Sequence, residues 1–289
     1  MAGSLAFPLL VTLALAVTAT SAHRRLPPRL ATRFVTIALV IVVLAALPTA
    51  LVISVAFLAH TPVVGLGFSW CAEAIGFRDA VPTWLGVPSL ALISVGLIRT
   101  ARLLRQHRAL RLDDSRPIHI ADSQTAYAVT LPGRAGQIVI STAMVELLDD
   151  DEQRIVVAHE QAHARYRHDR YLLTAELAAA ALPPLRALAR RVSYSIERWA
   201  DEAAAAVCGD RELVAVTLGK VALRSQPSMV AGFSGLGVAS RMGALLRPPI
   251  PKPHRPQLVA LWSSLAVAAA FSVYQLHHLE RLVTALCLH

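Results

Sequence analysis

Residues His159-Glu160-Gln161-Ala162-His163 set two imidazoles four positions apart, so that on a helix both project from one face, with a carboxylate beside the first. Imidazole nitrogens at that spacing grip a zinc ion, and a carboxylate next to them can take a proton from the water that such an ion acidifies. With 11 histidines in 289 residues, chance would produce this pattern in roughly 1 of 100 such chains. The flanking run Ile155-Val156-Val157-Ala158 and Ala164 continues the same apolar helix. Asp150 and Gln153 are predicted to close a capping box at its start.

Two histidines leave a zinc ion short of ligands, so a third must come from elsewhere, with water in the open position. In Ser195-Ile196-Glu197-Arg198-Trp199-Ala200-Asp201, Glu197 and Asp201 lie one helical turn apart on a common face. Glu197 is the expected third ligand, and Asp201 the expected acceptor of an imidazole N–H from His159 or His163. Glu160 is the expected general base, and one zinc ion the expected cofactor.

The elements that must carry this site sit in an unusual chain: 55% of residues are hydrophobic and only 16% charged, yet the net charge is +9. The apolar residues come in blocks. Residues 4–20, 34–59, 83–98 and 258–274 contain no Asp, Glu, Lys or Arg, and each approaches the ~20 residues that cross a bilayer core. Four transmembrane helices are predicted. The first is read as an anchor and not a cleaved signal peptide, because Met1-Ala2-Gly3 carries no basic residue while Arg24, Arg25, Arg29 and Arg33 follow the block. Pro48 is expected to kink the second span.

Basic residues recur after the third span, from Arg99 to Arg111, and before the fourth, at Arg247, Lys252 and Arg255, whereas the segment from His60 to Pro82 holds only Arg78. The positive-inside rule puts these basic segments in the cytoplasm, with both termini outside and residues 275–289 as a short extracellular tail. Positive charge of this kind answers an anionic bilayer. No direct nucleic-acid partner is expected, since no stacking aromatics interleave the arginines. Cys71, Cys208 and Cys287 form no CxxC, and the sequence leaves open whether Cys71 and Cys287 pair.

Residues 100–257 are the one stretch able to build a water-facing domain. Arg99 to Leu112 reads as a basic amphipathic helix along the membrane surface, ended by Pro117. Ile118-His119-Ile120, Tyr127 to Thr130 and Gln137 to Ser141 read as strands, the last two joined by a turn at 131–136 into a small antiparallel hairpin. Its edge offers an extended peptide somewhere to pair, although a hairpin that only packs under the zinc helix is an equal reading. Tyr171 to Ala189, interrupted by Glu176, Pro183-Pro184 and Arg186, reads as a membrane-apposed helical pair. Ser193 to Leu223 reads as helix and Gly232 to Pro256 as loop.

The H-E-x-x-H, the strand-turn-strand before it, Arg165 to Asp169 after it and Glu197-Arg198-Trp199-Ala200-Asp201 together resemble the BlaR/MecR antirepressor family of integral-membrane zinc metallopeptidases, and more distantly the HtpX-type and CAAX-protease relatives. The resemblance implies that His159, His163 and Glu197 bind zinc, that Glu160 is the base and that Asp201 supports them. It also implies a supporting role for Asp169, just past the second histidine. His168, five positions after His163, falls off the metal-facing side of a continued helix and is not counted as a ligand. The sensor members carry an extracellular penicillin-binding domain after the last span, and with His289 so soon after Tyr274 β-lactam sensing is not expected here.

The expected fold is mainly α, with four membrane helices and a cytoplasmic zinc-peptidase domain that contains a small β-hairpin. The expected function is a membrane-bound zinc endopeptidase acting on a protein or peptide substrate, in regulated proteolysis of a transcriptional repressor or of membrane proteins. A signalling receptor or scaffold whose zinc domain is proteolytically silent is the rival from another class. A transporter is disfavoured by the absence of charges within the spans. The sequence leaves open whether the chain works as a homodimer.

Overall fold

The computed structural model describes residues 13–20, 25–61, 80–109, 118–131, 136–224 and 237–287. Helix α1 (Pro28–Ala59) opens at a Pro-Pro pair, where a missing N–H costs nothing. It runs unbroken through Pro48, and the next residue, Thr49, donates its hydroxyl to Ala45 O at 2.8 Å. Helix α2 (Thr83–Ala109) repeats the device, with Ser89 after Pro88 donating to Leu85 O at 2.8 Å.

Segments Pro28–Ala59, Thr83–His107 and Arg255–Tyr274 are long and apolar enough to cross a membrane. They contain three of the four predicted spans. Of the first, residues 13–20 are helical and residues 4–12 lie outside the described residues. The basic stretch after Arg99 extends the axis of α2 to Ala109 instead of forming a separate surface helix, and Arg111, Leu112 and Pro117 lie outside the described residues.

Three strands form one sheet of order β1-β3-β2, from β1 (Ile118–Ala121), β2 (Ala128–Thr130) and β3 (Ile138–Ser141). The expected hairpin is β2 antiparallel to β3, with Val129 opposite Val139; β1 adds to the far side of β3 in parallel. All four β3 residues are buried. Ile138 and Ile140 pack with Met144 of α3 (Thr142–Leu147) and with Leu148, each such side chain contributing about 1.5–3 kcal/mol of burial.

Helix α4 (Asp150–Tyr166) carries the H-E-x-x-H. Its capping box is built one residue earlier than expected: Glu152 N donates to Asp149 Oδ1 at 2.9 Å, and Asp149 N to Glu152 Oε2 at 3.0 Å. Asp149, not Asp150, has the extended backbone that lets a side chain turn back on the first turn. Gln153 instead ties α4 to α3, its Nε2 donating to Val145 O and Leu148 O.

Arg167, in the left-handed conformation (φ 54°), ends α4 and starts α5 (His168–Ala181). A single turn at Pro183–Leu185 joins α5 to α6 (Arg186–Cys208). This pair packs against the candidate membrane spans. Ala175, Ala178, Leu182, Leu188, Val192 and Ile196 share one apolar cluster with Val35 and Leu39 of α1 and with Leu265 and Ala268 further along the chain. At Gly96 of α2 any Cβ would stand 2.5 Å from Ala181 O, so only glycine permits this approach of α2 to α5.

The helix expected from Ser193 to Leu223 is two helices. Gly209 (φ 77°) ends α6, and Asp210 caps α7 (Arg211–Arg224) by accepting from Glu212 N and Leu213 N, both at 2.9 Å. The loop expected over 232–256 contains α8 (Val238–Leu245). Arg211 pins its end, donating to Leu245 O at 2.9 Å and to Ala244 O at 3.3 Å while pairing with Glu202. Helix α9 (Arg255–Cys287) contains the last span and continues as helix over most of the predicted tail. Cys71 lies outside the described residues, as does the side chain of Cys287.

Candidate metal centre

Helix α4 presents its two imidazoles to α6, and the Nε2 atoms of His159 and His163 meet at 3.2 Å. Glu197 of α6 closes the triangle, with Oε2 3.7 Å from His159 Nε2 and Oε1 3.7 Å from His163 Nε2. Among the described residues this trio is the one group of His, Cys, Asp or Glu placed to hold a metal ion. Ligands about 2.0–2.1 Å from a tetrahedral zinc ion stand about 3.3 Å from one another. The edges found match that size, and the donors, two neutral-capable imidazoles and a carboxylate, are of zinc type.

The outer nitrogens are held as well. His159 Nδ1 faces Asp201 Oδ1 at 3.3 Å, one turn past Glu197 on α6, as the spacing predicted. This bond leaves Nε2 of His159 aimed at the ligand position. Asp201 is itself clamped by Arg241 of α8, whose Nε donates to Oδ2 at 2.8 Å and Nη2 to Oδ1 at 2.7 Å, while Nη1 stands 2.8 Å from Glu197 Oε2. Arg241 is 4% exposed and Asp201 1%, so neither charge is solvated and each depends on the other.

Burial alone would push the carboxyl groups of Glu197 and Asp201 upward, but the Arg241 guanidinium and the neighbouring imidazoles hold both below the usual carboxylate range. Burial likewise opposes a charge on His159, yet Asp201 and Glu197 raise it to about 10. For His163, burial dominates and pulls its pKa down. Two ionised carboxylates thus share one guanidinium, and once the His159 proton leaves, the net negative charge beside two imidazole nitrogens suits a divalent cation.

Glu160 is buried and is held from the sheet. The Thr130 hydroxyl, on β2, lies 2.7 Å from Glu160 Oε2 and 2.9 Å from Glu160 O. The edge strand therefore positions the carboxylate that flanks the metal ligands, a contact invisible in the sequence because 30 residues separate the two.

Past the helix end, Asp169 faces the Arg167 guanidinium at 3.3 Å. Its neighbour His168 turns back to the site, Nδ1 to His163 Nδ1 at 3.1 Å. A continued helix would carry His168 away; the left-handed Arg167 reverses the chain and brings it home. Burial, with His163 beside it, holds His168 down to about 3. Trp199 seats this imidazole, with ring centroids 4.7 Å apart, and the Arg29 and Arg33 guanidiniums of α1 lie 5.7 and 6.0 Å from the Trp199 ring.

Sequence reasoning missed Arg241, Thr130 and His168. A signal for Arg241 existed in Val238, Met242 and Leu245, an apolar 4-and-3 spacing that reads as a short amphipathic helix in the predicted loop.

No curated protein and no solved structure matches the chain. Residues 105–182, well under half of its length, match the family model described as Peptidase family M48. The match contains the whole sheet and the α4 helix with His159, Glu160 and His163, and stops short of Glu197. On that similarity and this geometry, the segment that carries the H-E-x-x-H supports a metallopeptidase.

Proposed function

We propose that the chain is a membrane-embedded zinc endopeptidase that hydrolyses peptide bonds at the cytoplasmic face. The observation that carries this reading is the convergence of one ligand atom each from His159, His163 and Glu197 within 4.8 Å of one another, with Glu160 beside His159 on the same helix. A zinc ion in that triangle would supply a Lewis acid for the scissile carbonyl and would acidify a water. Glu160, steadied by Thr130, accepts the proton of the attacking water and returns it to the leaving amine nitrogen. Asp201 keeps the His159 proton on Nδ1, and Arg241 keeps Asp201 and Glu197 in place. β2 pairs with β3 on one side, and an extended substrate added to its other edge would run past Glu160.

The cytoplasmic placement is supported by charge. The start of α1, which bears Arg29 and Arg33, lies against Trp199 of the same helix as Glu197, so the site sits at the basic end of the first described span. Basic ends of spans face the cytoplasm. A soluble repressor or the cytoplasmic segment of a membrane protein is the substrate class that reaches this position.

Glu160→Gln separates the enzyme from a silent zinc scaffold. The variant should keep zinc and lose cleavage of cellular substrates, seen as proteins that accumulate relative to wild type in quantitative proteomics. Identical proteomes for the two would favour the scaffold.

A further inference from the structure

We propose that His168 is a positioning residue for the ligand His163, accepting its Nδ1 proton and so keeping the His163 Nε2 lone pair free for metal. This rests on the zinc reading of the same site. The two ligand imidazoles are served alike: each turns Nε2 inward, and each has its Nδ1 against a buried group, Asp201 at 3.3 Å for His159 and His168 at 3.1 Å for His163.

One proton occupies the space between the two Nδ1 atoms. If it belonged to His168, His163 would carry its own proton on Nε2 and that atom would have no lone pair to give. Metal ligation therefore requires the other arrangement, with His163 Nδ1–H donating and His168 Nδ1 accepting. The proton of His168 then sits on its Nε2, an atom that is buried and has no hydrogen-bond partner among the described residues. A buried donor without a partner is costly, and an apolar side chain of similar shape beside the stacked Tyr166 and Trp199 rings would avoid that cost. The acceptor role at Nδ1 is the compensation that an apolar side chain would not supply.

The left-handed turn at Arg167 belongs to the same device. It places the residue after the zinc helix back over its last turn, where His168 reaches His163 at 3.1 Å across five positions of sequence. Aromatic packing then holds the ring in place, with His168 and His163 centroids 4.8 Å apart and their planes at 88°.

The test uses the full-length protein in detergent micelles, stripped of metal and titrated with Zn²⁺ against a chelating indicator, with the Co²⁺ absorption spectrum as a second readout. His168→Phe keeps an aromatic ring against Trp199 but has no acceptor; His168→Asn puts an amide oxygen near the place of Nδ1. The Phe variant should bind Zn²⁺ about 10–100-fold more weakly than wild type and alter the Co²⁺ bands. The Asn variant should recover most of the affinity. Equal affinities for the Phe variant and wild type, or equal losses in Phe and Asn, would overturn the role. Nitrogen-15 shifts of the histidines in zinc-loaded wild type need no variant: His168 should carry its proton on Nε2, and a proton on its Nδ1 would refute the assignment. Failure of wild type itself to bind one Zn²⁺ would bring down the zinc reading and this inference together, whereas tight wild-type binding with an unaffected Phe variant would bring down this inference alone.

Discussion

Arg241 grips Asp201 through two parallel donors, Nε at 2.8 Å and Nη2 at 2.7 Å, from a helix 40 residues further along the chain. The same guanidinium touches Glu197, so one cation fixes both the expected ligand and the group that orients His159. Such a fork cannot be copied by an ammonium, which offers no planar pair of donors. Replacing Arg241 with Met should therefore strand the buried Asp201 carboxylate, with the partly exposed Glu197 beside it, and destabilise the metal-free fold by about 3–5 kcal/mol. Lys should recover only part of this. Chemical denaturation of the metal-free protein checks both, and a Met variant as stable as wild type would deny that the pair is structural.

Thr130→Val removes the hydroxyl that steadies Glu160 while keeping the shape of the side chain. Zinc content should be unchanged. Turnover should fall by about 10–100-fold, because a general base displaced by a fraction of an ångström loses most of its advantage. KM should move little, since the interaction serves the reacting proton and not ground-state binding. A loss confined to KM would point to substrate pairing along β2 instead.

Zinc binding should release a proton from His159. With its pKa raised from 6.5 to about 10 in the metal-free fold, this imidazole is charged at neutral pH, and a metal ion must displace that proton. The sign follows directly: affinity for zinc climbs as pH rises toward 10. The stabilisation that protonated His159 lends the metal-free fold is complete below about pH 6.5 and fades as pH passes 10. Calorimetric titrations at pH 8 in buffers of different ionisation enthalpy should report about one proton released per zinc. Zinc uptake with no proton release would contradict the charged state of His159.

Much of this site was legible because local rules governed it. The i, i+4 spacings of His159 with His163 and of Glu197 with Asp201 hold in the structure because each pair lies within one helix. The second, third and fourth apolar blocks fall within helices that can span a bilayer. What escaped depends on tertiary return of the chain. Thr130 reaches Glu160 only once the sheet packs on α4, and Arg241 reaches Asp201 only once α8 folds back. His168 was misread by assuming a straight helix through Arg167, where the backbone instead turns left-handed. The capping box slipped by one residue because Asp149, Asp150 and Asp151 offer three acidic candidates in a row, and only backbone conformation chooses among them.

Every role assigned above depends on a zinc ion held by two imidazoles and one carboxylate. X-ray absorption at the zinc edge, on full-length protein purified from the membrane, reports that coordination shell directly. One zinc per chain with two histidine nitrogens and light oxygen donors at about 2.0–2.2 Å is the predicted result, with one oxygen donor removed or replaced in Glu197→Ala. Protein that carries no zinc after purification in zinc-containing buffer, or zinc whose shell is unchanged in Glu197→Ala, would contradict it.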